Sequence, residues 1–144
     1  MHEVTRRFEV DAAHRLLKHA GKCAHIHGHR YAFEVTFALS AGGSGYGGII
    51  VDFGDLKARL GDALDRLIDH GILLEESDPL IKAVRQADPE AKILELDFAP
   101  TAENLACYVW ELAGETVCRG ALKCTRVRCY ETPNCWADYT PTRL

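Results

Sequence analysis

The sequence lacks the features that mark membrane, secreted and nucleic-acid-binding proteins. In its 144 residues no apolar stretch approaches the roughly 18 residues of a membrane-spanning helix. The first residues contain no apolar block of the signal-peptide kind, so we expect a cytoplasmic protein. Lysine and arginine form no cluster and the net charge is −4, which argues against a nucleic acid or a membrane surface as partner.

Cysteine is present, but not in the patterns of a disulfide framework or a zinc finger. None of the 6 cysteines forms a Cys-x-x-Cys pair. A cytoplasmic chain in which 47% of the residues are hydrophobic does not need disulfides to hold its core, so we expect free thiols. There is no internal repeat and no low-complexity tail. The length is that of one domain with a real core, and we interpret residues 1–144 as a single domain.

Histidine, by contrast, is concentrated, with five of the 7 histidines between residues 14 and 29. His27 and His29 are separated by one residue, so on a strand both side chains point to the same face. His14 follows another alternating segment and has its buried parity. Three imidazoles suit zinc and leave a fourth position open, as in catalytic sites. Cys23 lies among them, either as a thiol beside the metal or as a fourth ligand.

Hydrophobic periodicity predicts strands and helices in a simple order. Alternation predicts strands over 3–12 and 27–39, and helical spacing predicts an amphipathic helix over 53–68. A second helix is predicted from a cap at Thr101 to Gly114, followed by two strands within 122–139. The order strand, strand, helix, helix, strand, strand favours an α+β fold.

Three polar positions leave two interpretations open. Asp69 and His70 follow the first helix, where a histidine is favoured by the helix dipole. They could instead be a carboxylate that orients an imidazole for proton transfer, although spacing alone favours the simpler interpretation. Glu131 ends an apolar-rich strand, either as a solvated terminus or as a carboxylate facing a pocket.

Four separated segments of the chain resemble the 6-pyruvoyl-tetrahydropterin synthase family. They are FEVDAAHRL, CAHIHGHRY, VDFGDLK with IDH, and PTAENLA with YET. Within the family the chain is most similar to the bacterial branch, the 6-carboxy-tetrahydropterin synthases of the queuosine (7-deazaguanine) pathway.

The resemblance implies a tunnelling fold. One subunit would be an antiparallel four-stranded sheet with two helices on one face. Three subunits would close a twelve-stranded barrel, and two trimers would form a homohexamer with active sites between subunits. We expect Thr101 and Glu103 to reach such a site from a neighbouring subunit.

The resemblance also implies the roles of individual residues. One Zn²⁺ per subunit would be bound by His14, His27 and His29. The catalytic groups would be Cys23, Asp69 and His70, and the pterin would be bound by Glu131, Thr101 and Glu103. The implied activity is conversion of 7,8-dihydroneopterin triphosphate to 6-carboxy-tetrahydropterin, acetaldehyde and triphosphate. The alternatives are the 6-pyruvoyl product and, outside enzymes, a structural zinc module that uses Cys23 as a fourth ligand.

The chain departs from the family pattern in the stretch 71–99, which is long and begins GILLEESDPL. Within it we predict a short helix over 78–87 and a short strand over 92–98. His25 is an additional imidazole beside the site. The basic residues near the site, and so candidates for the triphosphate, are Arg15, Lys18, Lys22 and Arg30.

Overall fold

The protein folds around one mixed β-sheet. The computed structural model describes residues 2–41, 43 and 45–142. The sheet has six strands in the order β4-β3-β1-β2-β5-β6. The strands are β1 (Val4–His14), β2 (His27–Leu39), β3 (Gly71–Glu75), β4 (Ile93–Leu96), β5 (Leu122–Thr132) and β6 (Cys135–Tyr139). The helices are α1 (Phe53–Leu56), α2 (Asp62–Leu67), α3 (Leu80–Ala87) and α4 (Ala102–Thr116).

The antiparallel strands β1, β2, β5 and β6 are the four that the alternation predicted. In β1 the residues Phe8, Val10 and Ala12 are buried, while their neighbours in sequence are more exposed. The strands β1 and β2 pair along the whole of β1, from Val4 opposite Phe37 to His14 opposite His27. This register places the buried sides of both strands on one face, where the helices cover them.

The first predicted helix is formed by α1 and α2, which a π-helical turn (Lys57–Gly61) joins end to end. Its buried residues follow a strict spacing of four, which drifts around an ordinary helix of 3.6 residues per turn. A π turn holds more residues, so it compensates for this drift and keeps the apolar stripe facing the sheet. All members of the stripe are at most 1% exposed, namely Leu56, Leu60, Leu64 and Ile68.

Helix α4 covers the same core from the other half of the chain. Asp52 and Thr101 cap α1 and α4, accepting hydrogen bonds from the amides of Gly54 and Asn104. The predicted end at Gly114 was wrong, since α4 continues to Thr116. One glycine costs a helix only about 1 kcal/mol, and the packing of α4 against the sheet outweighs this.

The sheet is larger than the four strands predicted, because β3 and β4 extend it beyond β1. Both are parallel additions: β3 pairs with β1 and β4 pairs with β3. The short helix and strand predicted within 72–99 correspond to α3 and β4. The sequence did not reveal β3, because a short apolar run next to a helix has no period of its own.

None of the helices that the structure describes is long and apolar enough to cross a membrane.

Candidate active site

The three histidines predicted to bind metal meet at one end of the β1–β2 pair. His14 lies directly opposite His27, and His29 lies opposite Ala12, two residues back along β1. Residues that face each other or lie diagonally across antiparallel strands can touch. One nitrogen from each imidazole lies within 4.8 Å of the others. The parity argument therefore correctly predicted a cluster of three imidazoles.

Hydrogen bonds to the backbone fix which nitrogen of two of these imidazoles carries the proton. His14 Nδ1 lies 2.8 Å from the carbonyl oxygen of Pro100, and His27 Nδ1 lies 2.8 Å from that of His25. A carbonyl oxygen can only accept, so both Nδ1 atoms donate. Both Nε2 atoms are then unprotonated and free to bind a metal, which is how outer hydrogen bonds usually orient metal-binding histidines.

The two unprotonated nitrogens face each other closely. His14 Nε2 and His27 Nε2 are 3.1 Å apart. Two lone pairs at this distance repel unless a cation lies between them. Nitrogens bound to a tetrahedral zinc ion at 2.0–2.1 Å are about 3.3 Å apart, so the spacing fits such an ion.

Unsatisfied buried atoms at the cluster also fit a bound metal ion. Three buried side-chain polar atoms in the described residues lack a hydrogen-bond partner, and two of them, His29 Nε2 and Tyr31 Oη, lie here. The Tyr31 ring packs edge-on against the rings of His14 and His29, with centroids 5.7 and 5.4 Å away. Buried polar atoms rarely stay unpaired, so a bound group that pairs with His29 Nε2 fits this point.

The surroundings of His14 and His29 favour the neutral imidazole that metal binding requires. Burial is the main cause that lowers the pKa of His14 to about 4; the hydrogen bond to Pro100 opposes it, and the neighbouring imidazoles act in the same direction as burial. Burial also lowers the pKa of His29.

A cleft of about 340 Å³ opens beside the cluster and contains most of the other predicted site residues. Its walls include His14, Cys23, Thr101, Glu103 and Glu131. A Glu131 carboxylate oxygen lies 3.9 Å from His14 Nε2. Of the two interpretations of Glu131, the pocket-facing carboxylate is the one that its position supports.

Cys23 lies on the cleft wall rather than in the histidine cluster. Among the residues that the structure describes, the only cluster suited to a metal consists of His14, His27 and His29, without the sulfur of Cys23. The Leu16 amide donates to the carbonyl oxygen of Cys23 over 2.8 Å, which closes the loop between β1 and β2. The thiol is therefore held beside the cluster by the backbone of its own loop.

Asp69 and His70 form the predicted pair, held by β1. The His70 imidazole donates from Nδ1 to an Asp69 oxygen 2.6 Å away, which leaves Nε2 unprotonated. The other Asp69 oxygen accepts from the Asp11 amide over 2.8 Å, and the His70 amide donates to the Asp11 carbonyl over 2.7 Å. His70 has a φ of 56°, a left-handed conformation that is costly for a side chain of this kind. Such a residue needs fixed contacts, and the two Asp11 bonds supply them.

Electrostatics keep Asp69 ionised beside this imidazole. Partial burial opposes ionisation, but hydrogen bonds from Asp11 and His70 outweigh it, so the pKa of Asp69 is below its usual range. Lys92 adds a positive charge and donates to the Asp69 carbonyl oxygen over 2.7 Å. Lys92 belongs to the segment whose role was unassigned from sequence.

Within one subunit the structure does not bring the Asp69–His70 pair to Cys23. His70 is exposed and lines a separate open depression with Asp11, Gly28 and Arg30. Thr101 and Glu103 line the cleft of their own chain, and the expectation that they also complete a site with a neighbouring subunit stays a prediction. The cap at Thr101 begins α4 next to Pro100, and Pro100 accepts the His14 hydrogen bond.

The four basic residues near the site differ in their partners. Arg15 is paired with Asp78, and Arg30 is paired with Asp11 through two hydrogen bonds. Lys18 and Lys22 are exposed on the Cys23 loop, with no acidic partner among the described residues. Of the candidates, these two lysines have charges that are free to meet an anion.

The fold and the cleft together define an α+β protein with a three-histidine site for a metal and a thiol beside it. The sequence model of the 6-pyruvoyl tetrahydropterin synthase family matches residues 3–142. The chain belongs to this family.

Individual relatives agree with the family match. A 6-carboxy-5,6,7,8-tetrahydropterin synthase from Rickettsia bellii is 34% identical over 139 residues, covering 96% of this chain and 99% of that protein. A 6-pyruvoyl tetrahydrobiopterin synthase from Pongo abelii is 26% identical over 142 residues, covering 92% and 86%. The 6-pyruvoyl tetrahydropterin synthase structure from Caenorhabditis elegans superimposes with a TM-score of 0.69 at 22% identity, covering 97% and 95%. The last comparison confirms the fold.

Proposed function

We propose that the protein is a zinc-dependent 6-carboxy-5,6,7,8-tetrahydropterin synthase. It would convert 7,8-dihydroneopterin triphosphate and water to 6-carboxy-tetrahydropterin, acetaldehyde and triphosphate, in the cytoplasm, as a step of queuosine biosynthesis. The observation that carries the proposal is the cluster of three imidazoles in the wall of a cleft that also holds Cys23 and Glu131. The 6-carboxy product is favoured because the Rickettsia bellii relative carries that name at 34% identity, against 26% for the Pongo abelii one.

His14, His27 and His29 would hold one zinc ion per subunit. Zinc at this point would polarise side-chain oxygens of the substrate and stabilise negative charge that develops on them. The protein supplies the orientation, because Pro100 and His25 fix the imidazoles of His14 and His27 before the metal arrives.

Glu131 would anchor the pterin ring. A pterin presents two adjacent N–H donors along its guanidine-like edge, and a carboxylate can accept both at once. Glu131 lies at the cleft wall with 29% of its side chain exposed, so it can reach a ligand there. Thr101 and Glu103, at the start of α4, would complete the pterin pocket.

Cys23 would act as a base on the substrate side chain. A thiolate close to a metal pocket can remove a proton from a substrate carbon that is acidified by an adjacent C=N or C=O bond. Loss of triphosphate would follow, and a retro-aldol-type cleavage would then release acetaldehyde. Lys18 and Lys22 lie on the same loop and are the free cations closest in sequence to the base.

The Asp69–His70 pair would act with Cys23 across a subunit boundary. His70 and the Cys23 thiol line different depressions of one subunit, so a site that uses both would need a second copy. The sheet ends in two unpaired edges, at β4 and β6. Closure of three subunits into a barrel would cover such edges, and two barrels would form a hexamer.

The test is product identification. The zinc-loaded protein is incubated with dihydroneopterin triphosphate, and the products are identified by mass spectrometry beside a C23A control. Acetaldehyde together with the 6-carboxy pterin supports the proposal. A 6-pyruvoyl product without acetaldehyde would assign the other branch. If neither product forms, and X-ray absorption at the zinc edge shows a sulfur ligand at about 2.3 Å, the structural zinc module is the better interpretation.

A further inference from the structure

The segment between β3 and α3 carries a buried carboxylate. Asp78 is the only acidic side chain that is buried among the residues described, and it is 3% exposed. It lies just before α3, in the stretch 71–99 where the chain departs from the family pattern. Carboxylates are almost never fully buried unless they are paired, so its partners show what it does.

The partners of Asp78 tie the segment to the end of β1. Arg15 donates from Nε to one carboxylate oxygen over 2.7 Å and from Nη2 to the other. The Leu80 amide donates to the second oxygen over 2.8 Å, at the start of α3. The Asp78 amide in turn donates to the Glu75 carbonyl over 2.8 Å. A two-point arginine–carboxylate contact fixes direction as well as distance.

Arg15 lies at the junction of the metal site and the thiol loop. It directly follows His14, and the next residue, Leu16, holds the Cys23 carbonyl through its amide. Fixing the Arg15 side chain therefore restrains the backbone next to the His14 imidazole and, through Leu16, the loop that carries the Cys23 thiol. A buried ion pair adds little net stability compared with an apolar pair. The main effect of the Arg15–Asp78 contact is therefore to orient the backbone around Arg15.

We infer that Asp78 is a positioning residue that acts through Arg15 to hold the His14 end of β1 and the loop bearing Cys23. The inference rests on the proposed function for its catalytic consequence, because that function makes Cys23 the base. Its structural consequence, a rigid loop over residues 15–25, can be measured without any substrate.

The test compares D78N with a matched control, E95Q. Both changes remove one carboxylate of an Arg pair in the same segment. The Arg85–Glu95 pair between α3 and β4 is exposed, and neither residue has a hydrogen bond or ion pair with residues 15–25 among the described residues. In D78N we expect kcat to fall about 10- to 100-fold, the cost of a small misplacement of reacting groups, with KM nearly unchanged. Zinc content should match wild type. Amide hydrogen exchange in a peptide over 15–25 should become faster in D78N. E95Q should leave both kcat and this exchange rate unchanged.

Several outcomes would overturn the inference. Unchanged kcat and unchanged exchange in D78N would do so, and so would a rise in KM at constant kcat, which would instead place Arg15 on the substrate. If wild type makes no product, the proposed function fails. The exchange comparison still decides whether the Asp78–Arg15 pair holds the loop over residues 15–25. If D78N does not fold, R15K replaces it, since lysine keeps the charge but loses the two-point contact. An amide exchange rate over residues 15–25 in R15K that equals the wild-type rate would count against the positioning role of the Asp78–Arg15 pair.

Discussion

The histidine cluster and the Asp69–His70 pair differ in how much of their setting one subunit supplies. The histidines emerge from two fully paired strands, and His14 is 1% exposed. The pair lies in a connection between a helix and a strand, with the His70 side chain 79% exposed. The cluster is therefore complete before any partner arrives, whereas the pair is oriented but faces solvent. Strand pairing builds binding sites within a chain, and exposed connections leave residues available to a neighbouring chain.

The largest effect is expected from removal of one cluster histidine. H27A should lose zinc binding by more than the roughly 10- to 100-fold that loss of an outer hydrogen-bond partner costs, and activity should fall with it. H25A is the matched control, because only the backbone carbonyl of His25 touches the cluster and its side chain is exposed. Metal content by mass spectrometry and chelator competition measure both variants. Equal zinc loss in H25A would show that the cluster is not the metal site.

A change of the thiol should separate chemistry from metal binding. C23A should lower kcat by about 10²- to 10⁴-fold, the usual contribution of a positioned base, while zinc content and thermal stability remain. C135A tests whether any thiol of the cleft suffices, since Cys135 lines the same cleft and should matter much less. Turnover and zinc are measured on the same preparation. Loss of zinc in C23A would make Cys23 a ligand instead of a base.

A smaller effect is expected from a change of Glu131, the carboxylate that we propose binds the pterin ring. E131Q should weaken binding of a stable pterin such as sepiapterin by about 1.5–3 kcal/mol, because an amide cannot accept two N–H bonds as a carboxylate does. Folding stability should change little, since Glu131 is partly exposed and lies 3.9 Å from a neutral His14, too far for a hydrogen bond. Titration of sepiapterin against wild type measures this. An unchanged affinity would remove Glu131 from the pterin site.

The last prediction tests whether Cys23 of one subunit acts with His70 of another. C23A and H70A chains, each inactive alone, should recover roughly a quarter of wild-type activity when dissociated, mixed in equal amounts and reassembled, because random assembly restores that share of shared sites. Light scattering on the zinc-loaded protein should give the mass of a hexamer. A fully active species of 16.0 kDa, the mass of one chain, would rule out sites shared between subunits.

The predictable part of the site was the part that depends on local periodicity. The alternation in 3–12 and 27–39 determined the face on which His14, His27 and His29 lie, and the pairing of β1 with β2 confirmed it. The cap at Thr101 was also predictable, because capping depends on the residues of a single turn.

What the sequence could not supply depends on contacts between distant segments. The Pro100 carbonyl that orients His14 comes from 86 residues away, and Arg15 meets Asp78 across 63 residues. Strand β3 gave no periodic signal because it is short and apolar, so the pairing that positions Asp69 and His70 beside Asp11 was not visible either. The partner that we propose for the exposed pair belongs to a second subunit, and no pattern within one chain predicts where that subunit docks.

The hydrogen bond from His14 to Pro100 has a thermodynamic consequence. It joins an imidazole of the histidine cluster to the residue before the Thr101 cap, so the proposed metal site and the wall of the proposed pterin cleft are connected directly. Binding at either place should stabilise the same arrangement, and coupling between two binding equilibria is reciprocal. Zinc should therefore tighten the affinity for a pterin by the same factor by which the pterin tightens the affinity for zinc.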